Sequence, residues 1–99
     1  MERVRLLGGS WFNASSAYIV RGLPVVRKAT RIQEFLYITR SGRYILHIWT
    51  TDKLDFDVYL EVSEERAAHW LFLNRVNPDD VLPTTLQRAL RRLYDRLQA

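Results

Sequence analysis

The chain contains no cysteine, which excludes a disulfide framework, a thiolate nucleophile and cysteine-ligated zinc. Histidine is scarce as well: His47 and His69 stand alone, and neither has a second histidine at the four-residue spacing that puts two metal ligands on one helix face. Gly-x-Gly-x-x-Gly, Walker and nucleophile-elbow patterns are absent, so no loop motif for cradling phosphate or exposing a catalytic serine is present. Long apolar runs are also missing. Ala17 to Val20 is cut by Arg21, far short of the roughly 20 residues a membrane span requires. The sequence therefore predicts no membrane partner, signal peptide or anchor, and with cysteine absent it points to the cytoplasm.

What is present is arginine, aromatic residues and a segregated charge. A length of 99 residues suits a single domain over 1–99, hiding roughly 65% of its unfolded surface in one modest core. Residues 1–51 carry eight Lys/Arg against two acids, residues 52–83 three against eight, and residues 84–99 four against one. Thirteen of the fifteen cations are arginine. Arginine offers planar, bidentate contacts to carboxylate or phosphate, although a GC-rich genome produces the same bias. The basic balance hints at a polyanionic partner.

Three runs read as strands: Glu34 to Thr39, Arg43 to Thr50 and Asp55 to Val62, each rich in β-branched and aromatic residues and separated by short polar turns. Arg40-Ser41-Gly42 suits a three-residue hairpin loop with Gly42 in the left-handed conformation, which pairs Tyr37 with Ile45 and Phe35 with His47. That register sorts the side chains. Leu36, Ile38, Tyr44, Leu46 and Ile48 share one face with Phe56, Val58, Leu60 and Val62. Phe35, Tyr37, Ile45, His47, Trp49 and Tyr59 fall on the other.

Two helices follow. Ser63 is a natural N-cap, Glu64 and Glu65 complement the positive end of the helix dipole, Ala67, Trp70 and Leu71 share a side, and Asn74 is a stop. After an Asn77 to Asp80 turn, Thr84 and Gln87 have capping-box spacing. Leu86, Leu90, Leu93 and Leu97 then form a stripe opposite Arg88, Arg91, Arg92 and Arg96. Upstream, Met1 to Leu7 reads as a strand ended by Gly8-Gly9, residues 10–20 as a brief helix capped by Asn13, and residues 21–33 as a basic loop punctuated by Gly22 and Pro24. The expected class is α+β: an antiparallel three- to four-stranded meander with two C-terminal helices on one face and the N-terminal segment on the other.

The residues Gly9-Ser-Trp-Phe12, Leu36-Tyr37-x-Thr39, Gly42, Leu46-His47-x-Trp49, Ser63-Glu-Glu-x-Ala-Ala-x-Trp-Leu71, Asn74 and Leu82-Pro83 resemble the pattern of a family of small uncharacterised prokaryotic proteins, several associated with plasmids or phages. The resemblance spans residues 9–83 discontinuously. It implies prokaryotic origin and shared architecture and supplies no catalytic residue. The loop at Gly22-Leu23-Pro24 departs from the polar, asparagine-containing loop of that pattern.

The chemistry the sequence supports is binding, with no cofactor, metal or catalytic residue assigned. Arg88, Arg91, Arg92 and Arg96 on the last helix, with Arg21, Arg27, Lys28 and Arg31 in the basic loop, are candidates for nucleic-acid phosphates. Trp49, Tyr37 and Tyr59 are available to stack on unpaired bases. The competing explanation is a solvated helix face on which Arg88 and Arg92 pair with the Asp79-Asp80 turn or with Asp95. A second binding reading uses the aromatic face itself, Phe35, Tyr37, His47, Trp49 and Tyr59, as a homodimer or protein-partner surface, unless Trp11, Phe12 and Tyr18 cover it. His47 is a base only if a carboxylate lies beside it in a pocket; a packed histidine is the simpler account. Asp52, Asp55, Asp57, Glu61, Glu64 and Glu65 form an acidic run without a cation-binding loop, as a solvated sheet edge does.

Overall fold

The computed structural model describes residues 3–27, 30–50 and 57–98. Seven strands, β1 (Arg3–Arg5), β2 (Trp11–Asn13), β3 (Tyr18–Arg21), β4 (Val25–Arg27), β5 (Thr30–Ile38), β6 (Tyr44–Thr50) and β7 (Asp57–Val62), precede two helices, α1 (Glu64–Leu73) and α2 (Thr84–Gln98). The chain is α+β with antiparallel strands, and its contacts divide it into two compact units between Val62 and Ser63.

The first unit is built on β5, β6 and β7. Register is fixed by the Gly42 loop: Gly42 has φ +86°, Thr39 N–H donates to the Arg43 carbonyl at 3.0 Å, and Tyr37 pairs with Ile45 and Phe35 with His47. Tyr59 then falls opposite His47 and Leu60 opposite Leu46, so the two expected faces form as the alternation requires. Leu36, Ile38, Tyr44 and Val62 on the first face are buried. Phe56 lies outside the described residues.

Among the described residues the sheet has five strands rather than three or four, because Arg21, Val25–Arg27 and residues 30–33 of the expected loop are strand. β3 and β4 both pair with the same side of β5: Arg21 lies opposite Phe35 and Val25 opposite Ile32. Four steps along one strand match three along the other, which inserts one extra residue at Leu23-Pro24, a β-bulge. Gly22 and Pro24 thus bend an edge strand without ending it. Gly22 N–H still donates to the Glu34 carbonyl at 2.8 Å, and the Gln33 amide donates to the Gly22 carbonyl at 3.0 Å.

Residues 10–20 are likewise strand and turn, with no helix. Asn13 caps nothing: its Oδ1 accepts from Ser15 N–H at 3.1 Å and from the Ser15 hydroxyl at 2.7 Å. Such local bonding competes with helix formation, and the flanking Trp11, Phe12, Ile19 and Val20 favour extended backbone. Instead β1 and β2 pair as a hairpin around Gly8 and Gly9, both at positive φ. Leu7 N–H donates to the Tyr59 carbonyl at 2.8 Å, which ties the hairpin to β7.

In the second unit α1 and α2 pack on each other, with Phe72 and Tyr94 edge to face at 4.9 Å. Ser63 caps α1 through its hydroxyl, which accepts from Arg66 N–H at 3.2 Å, and Asn74 closes it. Thr84 is not an N-cap. Gln87 N–H bonds the Pro83 carbonyl at 2.9 Å, so Thr84 is already the first helical residue. Leu86, Leu90 and Leu93 are buried, but Leu97 is 60% exposed, and the stripe ends a turn early.

Candidate functional site

The second face of the sheet is covered at one end and open at the other. Phe12, at 4% exposure, joins Leu6, Ala14 and Ile45 in a small core against which Tyr37 and Tyr59 pack. Its ring meets Tyr37 at 5.5 Å and Tyr59 at 5.9 Å. Arg43 fastens this cover: its guanidinium donates to the Trp11 carbonyl at 2.9 Å and to Glu61 at 2.8 Å and 3.3 Å. Those bonds hold the Glu61 carboxyl below its usual range, against a smaller opposing effect of burial, and raise Arg43. The N-terminal segment therefore covers part of the aromatic face through Phe12. Trp11 and Tyr18 take no comparable part, at 48% and 50% exposure.

His47 sits at the margin of the cover. Its imidazole is stacked on Tyr59 at 4.0 Å and on Phe35 at 5.5 Å, Nε2 is paired with Asp57, and Nδ1 is buried without a partner. A carboxylate accepts only, so Nε2 carries the proton. One ring nitrogen is thus engaged and the other enclosed. The carboxylate that a histidine base requires thus lies beside the ring, which is itself packed between Phe35 and Tyr59.

Beyond His47 the face is open. Arg31, Gln33 and Phe35 alternate along β5, Trp49 lies opposite Gln33 on β6, and Arg21 lies opposite Phe35 on β3. With Val26 from β4 they line a groove of about 590 Å³ whose lining, among the described residues, contains two arginines and no acid. Trp49 is 40% exposed and Val26 64% exposed, whereas Gln33 is buried, its amide donating to the Gly22 and Glu34 carbonyls and its Oε1 accepting from Arg21 at 3.5 Å. The reason for the acid-free lining is in the chain: between residues 3 and 33 there is no Asp or Glu.

The groove gathers Arg21 and Arg31 from the phosphate candidates with Phe35 and Trp49 from the aromatic ones. Arg27 ends β4 opposite Thr30, and Lys28 lies outside the described residues. The helix candidates belong to the other unit and have acidic neighbours. Arg91 pairs with Asp79, and Arg92 and Arg96 share a cleft of about 270 Å³ with Glu64, Glu65 and His69. Arg88 is exposed. The contributors missed from sequence are Gln33 and Val26. The period-two alternation of Arg31, Gln33 and Phe35 carried the signal, masked by reading Gly22 and Pro24 as a loop.

Among the described residues no three or more His, Asp or Glu side chains converge as metal ligands, and no helix is long and apolar enough to cross a membrane. Asp52 and Asp55 of the acidic run lie outside the described residues. No family model, curated protein or solved structure matches the chain, so its own geometry carries the functional reading.

Proposed function

We propose that this is a non-enzymatic nucleic-acid-binding protein whose principal contact surface is the open end of the sheet. The observation that supports it is the groove's lining: Arg21 and Arg31 beside Phe35 and Trp49, with no acid among the described residues that line it. Cations that neutralise phosphates supply affinity, and exposed aromatic side chains supply surface that bases can cover. The basic face of α2 becomes secondary, because Glu64, Glu65 and Asp79 stand against most of its charge. A regulatory role exercised through such contacts is part of the same proposal.

Anisotropy of labelled mixed-sequence oligonucleotides at rising salt tests it. Binding should weaken with salt and fall sharply in Arg21→Gln plus Arg31→Gln, while Arg91→Gln changes it little. Absence of binding even at low salt rejects the proposal.

A second reading is favoured by the sheet's edge. Tyr18, Ile19, Val25 and Val26 are all exposed on β3 and β4, where an extended segment of a protein partner or of a second copy would add a strand. Light scattering over a wide concentration range checks the second-copy form of this reading; a monomer throughout removes it.

A further inference from the structure

Resting on the nucleic-acid reading above, we infer that the groove takes an unpaired segment, with a base stacked on Trp49 and neighbouring phosphates on Arg21 and Arg31, and does so without reading sequence. A duplex offers phosphates and base edges but keeps the flat faces of its bases inside the stack. The groove offers the reverse: Trp49 is 40% exposed, and Phe35, Val25, Val26 and Ile32 make most of the remaining surface apolar. Only an unpaired base has a complementary face to place there.

The charge is distributed to suit a strand. Arg31 and Phe35 lie four residues apart on β5, and Arg21 stands beside Phe35. The two cations are therefore about 13 Å apart along the strand direction, so they can serve phosphates two steps apart in an extended strand. Phe12 and the β1–β2 hairpin close the face beyond Phe35 at Tyr37, which keeps the site short. Its volume of about 590 Å³ lies in the range of small-ligand pockets, and holds on the order of one or two nucleotides.

The lack of sequence reading follows from Gln33. Among the described residues it is the one side-chain amide in the lining, and its nitrogen is already given to the Gly22 and Glu34 carbonyls while Arg21 reaches its oxygen. Recognition is left to stacking and charge, to which all bases respond similarly.

The experiment measures anisotropy of a short labelled oligothymidylate and of a mixed-sequence duplex of equal length, with thymidine monophosphate as competitor. Quenching of tryptophan emission is followed in parallel. The single strand should bind at least tenfold more tightly than the duplex and quench emission. Trp49→Ala should weaken it about tenfold and Trp49→Phe less than threefold, in line with the loss of one stacked base. Trp49→Leu keeps an apolar side chain in place and should lose as much as Trp49→Ala; it serves if the alanine variant misfolds. Equal or tighter duplex binding that ignores Trp49→Leu overturns this inference and leaves the broader proposal standing. Failure of both oligonucleotides at low salt overturns both. Competition by the monophosphate at the same nucleotide concentration as the strand replaces the strand by a free nucleotide and so rejects the inference.

Discussion

The imidazole of His47 lies nearly parallel to the ring of Tyr59, with centroids 4.0 Å apart and planes 10° from each other. Its hydrogen bonding is lopsided, since Nε2 meets Asp57 and the buried Nδ1 meets nothing. An enclosed polar atom without a partner costs about 1–3 kcal/mol, and a largely exposed partner such as Asp57 returns only about 1 kcal/mol. Stacking, then, holds the ring. His47→Phe should change unfolding free energy by less than about 1 kcal/mol, whereas His47→Ala should cost over about 2 kcal/mol by opening a gap between Phe35 and Tyr59. Urea denaturation of both variants decides it; equal losses would show that the ring nitrogens matter more than the ring.

Phe12 is the keystone of the β1–β2 cover. At 4% exposure it touches Tyr37 and Tyr59, while its neighbour Trp11 is 48% exposed. Phe12→Ala should destabilise by about 3–5 kcal/mol and Trp11→Ala by less than about 1 kcal/mol. Because the hairpin is short, losing Phe12 should also free it and expose Tyr37, which increased binding of a hydrophobic dye would report. A Phe12 variant as stable as the Trp11 variant would place the cover's energy elsewhere.

The Arg43–Glu61 pair gives stability a pH dependence whose sign can be worked out. Glu61 has a lowered folded-state pKa, chiefly through hydrogen bonding to Arg43. Its contribution is therefore complete above the ordinary glutamate value of about 4.3, and it is lost as pH falls through the lower folded value. Arg43 is raised and stays charged across this range. With side chains 32% and 44% exposed, solvent screening limits the pair to about 0.5–1 kcal/mol. Wild type should exceed Glu61→Gln by that amount at neutral pH, and the gap should close below about pH 4. A gap that persists in acid, or widens, contradicts this account.

How much of this was written legibly in the chain depends on whether a residue's role is local. The β5–β6–β7 register could be read because Gly42 admits the one loop geometry that aligns Tyr37 with Ile45. Ser63 and Asn74 could be read because caps act within one turn. Asn13 misled, because a residue that caps helices also folds back on its own strand end, and only Phe12's burial against Tyr37 and Tyr59 selects between them. Pro24 misled for a related reason: at an edge, its missing N–H and the bulge around it leave pairing with β5 intact on either side. The candidate site was legible as two separate lists, phosphate-binding arginines and stacking aromatics. What joins Arg31 to Phe35 and Trp49 is the strand that Gly22 and Pro24 concealed. Pairing of the helix arginines with the Asp79–Asp80 turn was legible, although Arg91 makes it rather than Arg88 or Arg92, whereas Glu64 and Glu65 across the cleft are distant in sequence and were not.

The exit from α1 contains a conformational cost that one substitution should relieve. Arg75 has φ +58°, and around it Arg75 N–H bonds the Phe72 carbonyl and Val76 N–H bonds the Leu71 carbonyl, each at 3.0 Å. These are the two bonds of a Schellman motif, whose left-handed position is usually glycine. An L-residue there costs roughly 1–2 kcal/mol in crowding of Cβ against the following carbonyl. Glycine removes the crowding but has more freedom to lose on folding, which returns part of the gain. Arg75→Gly should therefore stabilise the protein by about 0.5–1 kcal/mol, while Arg75→Val should destabilise it, a β-branched side chain being least tolerated at positive φ. The order Gly above Arg above Val in urea midpoint is the expected result. Arginine ranking above glycine would mean that its side chain contributes contacts outweighing the strain at this turn.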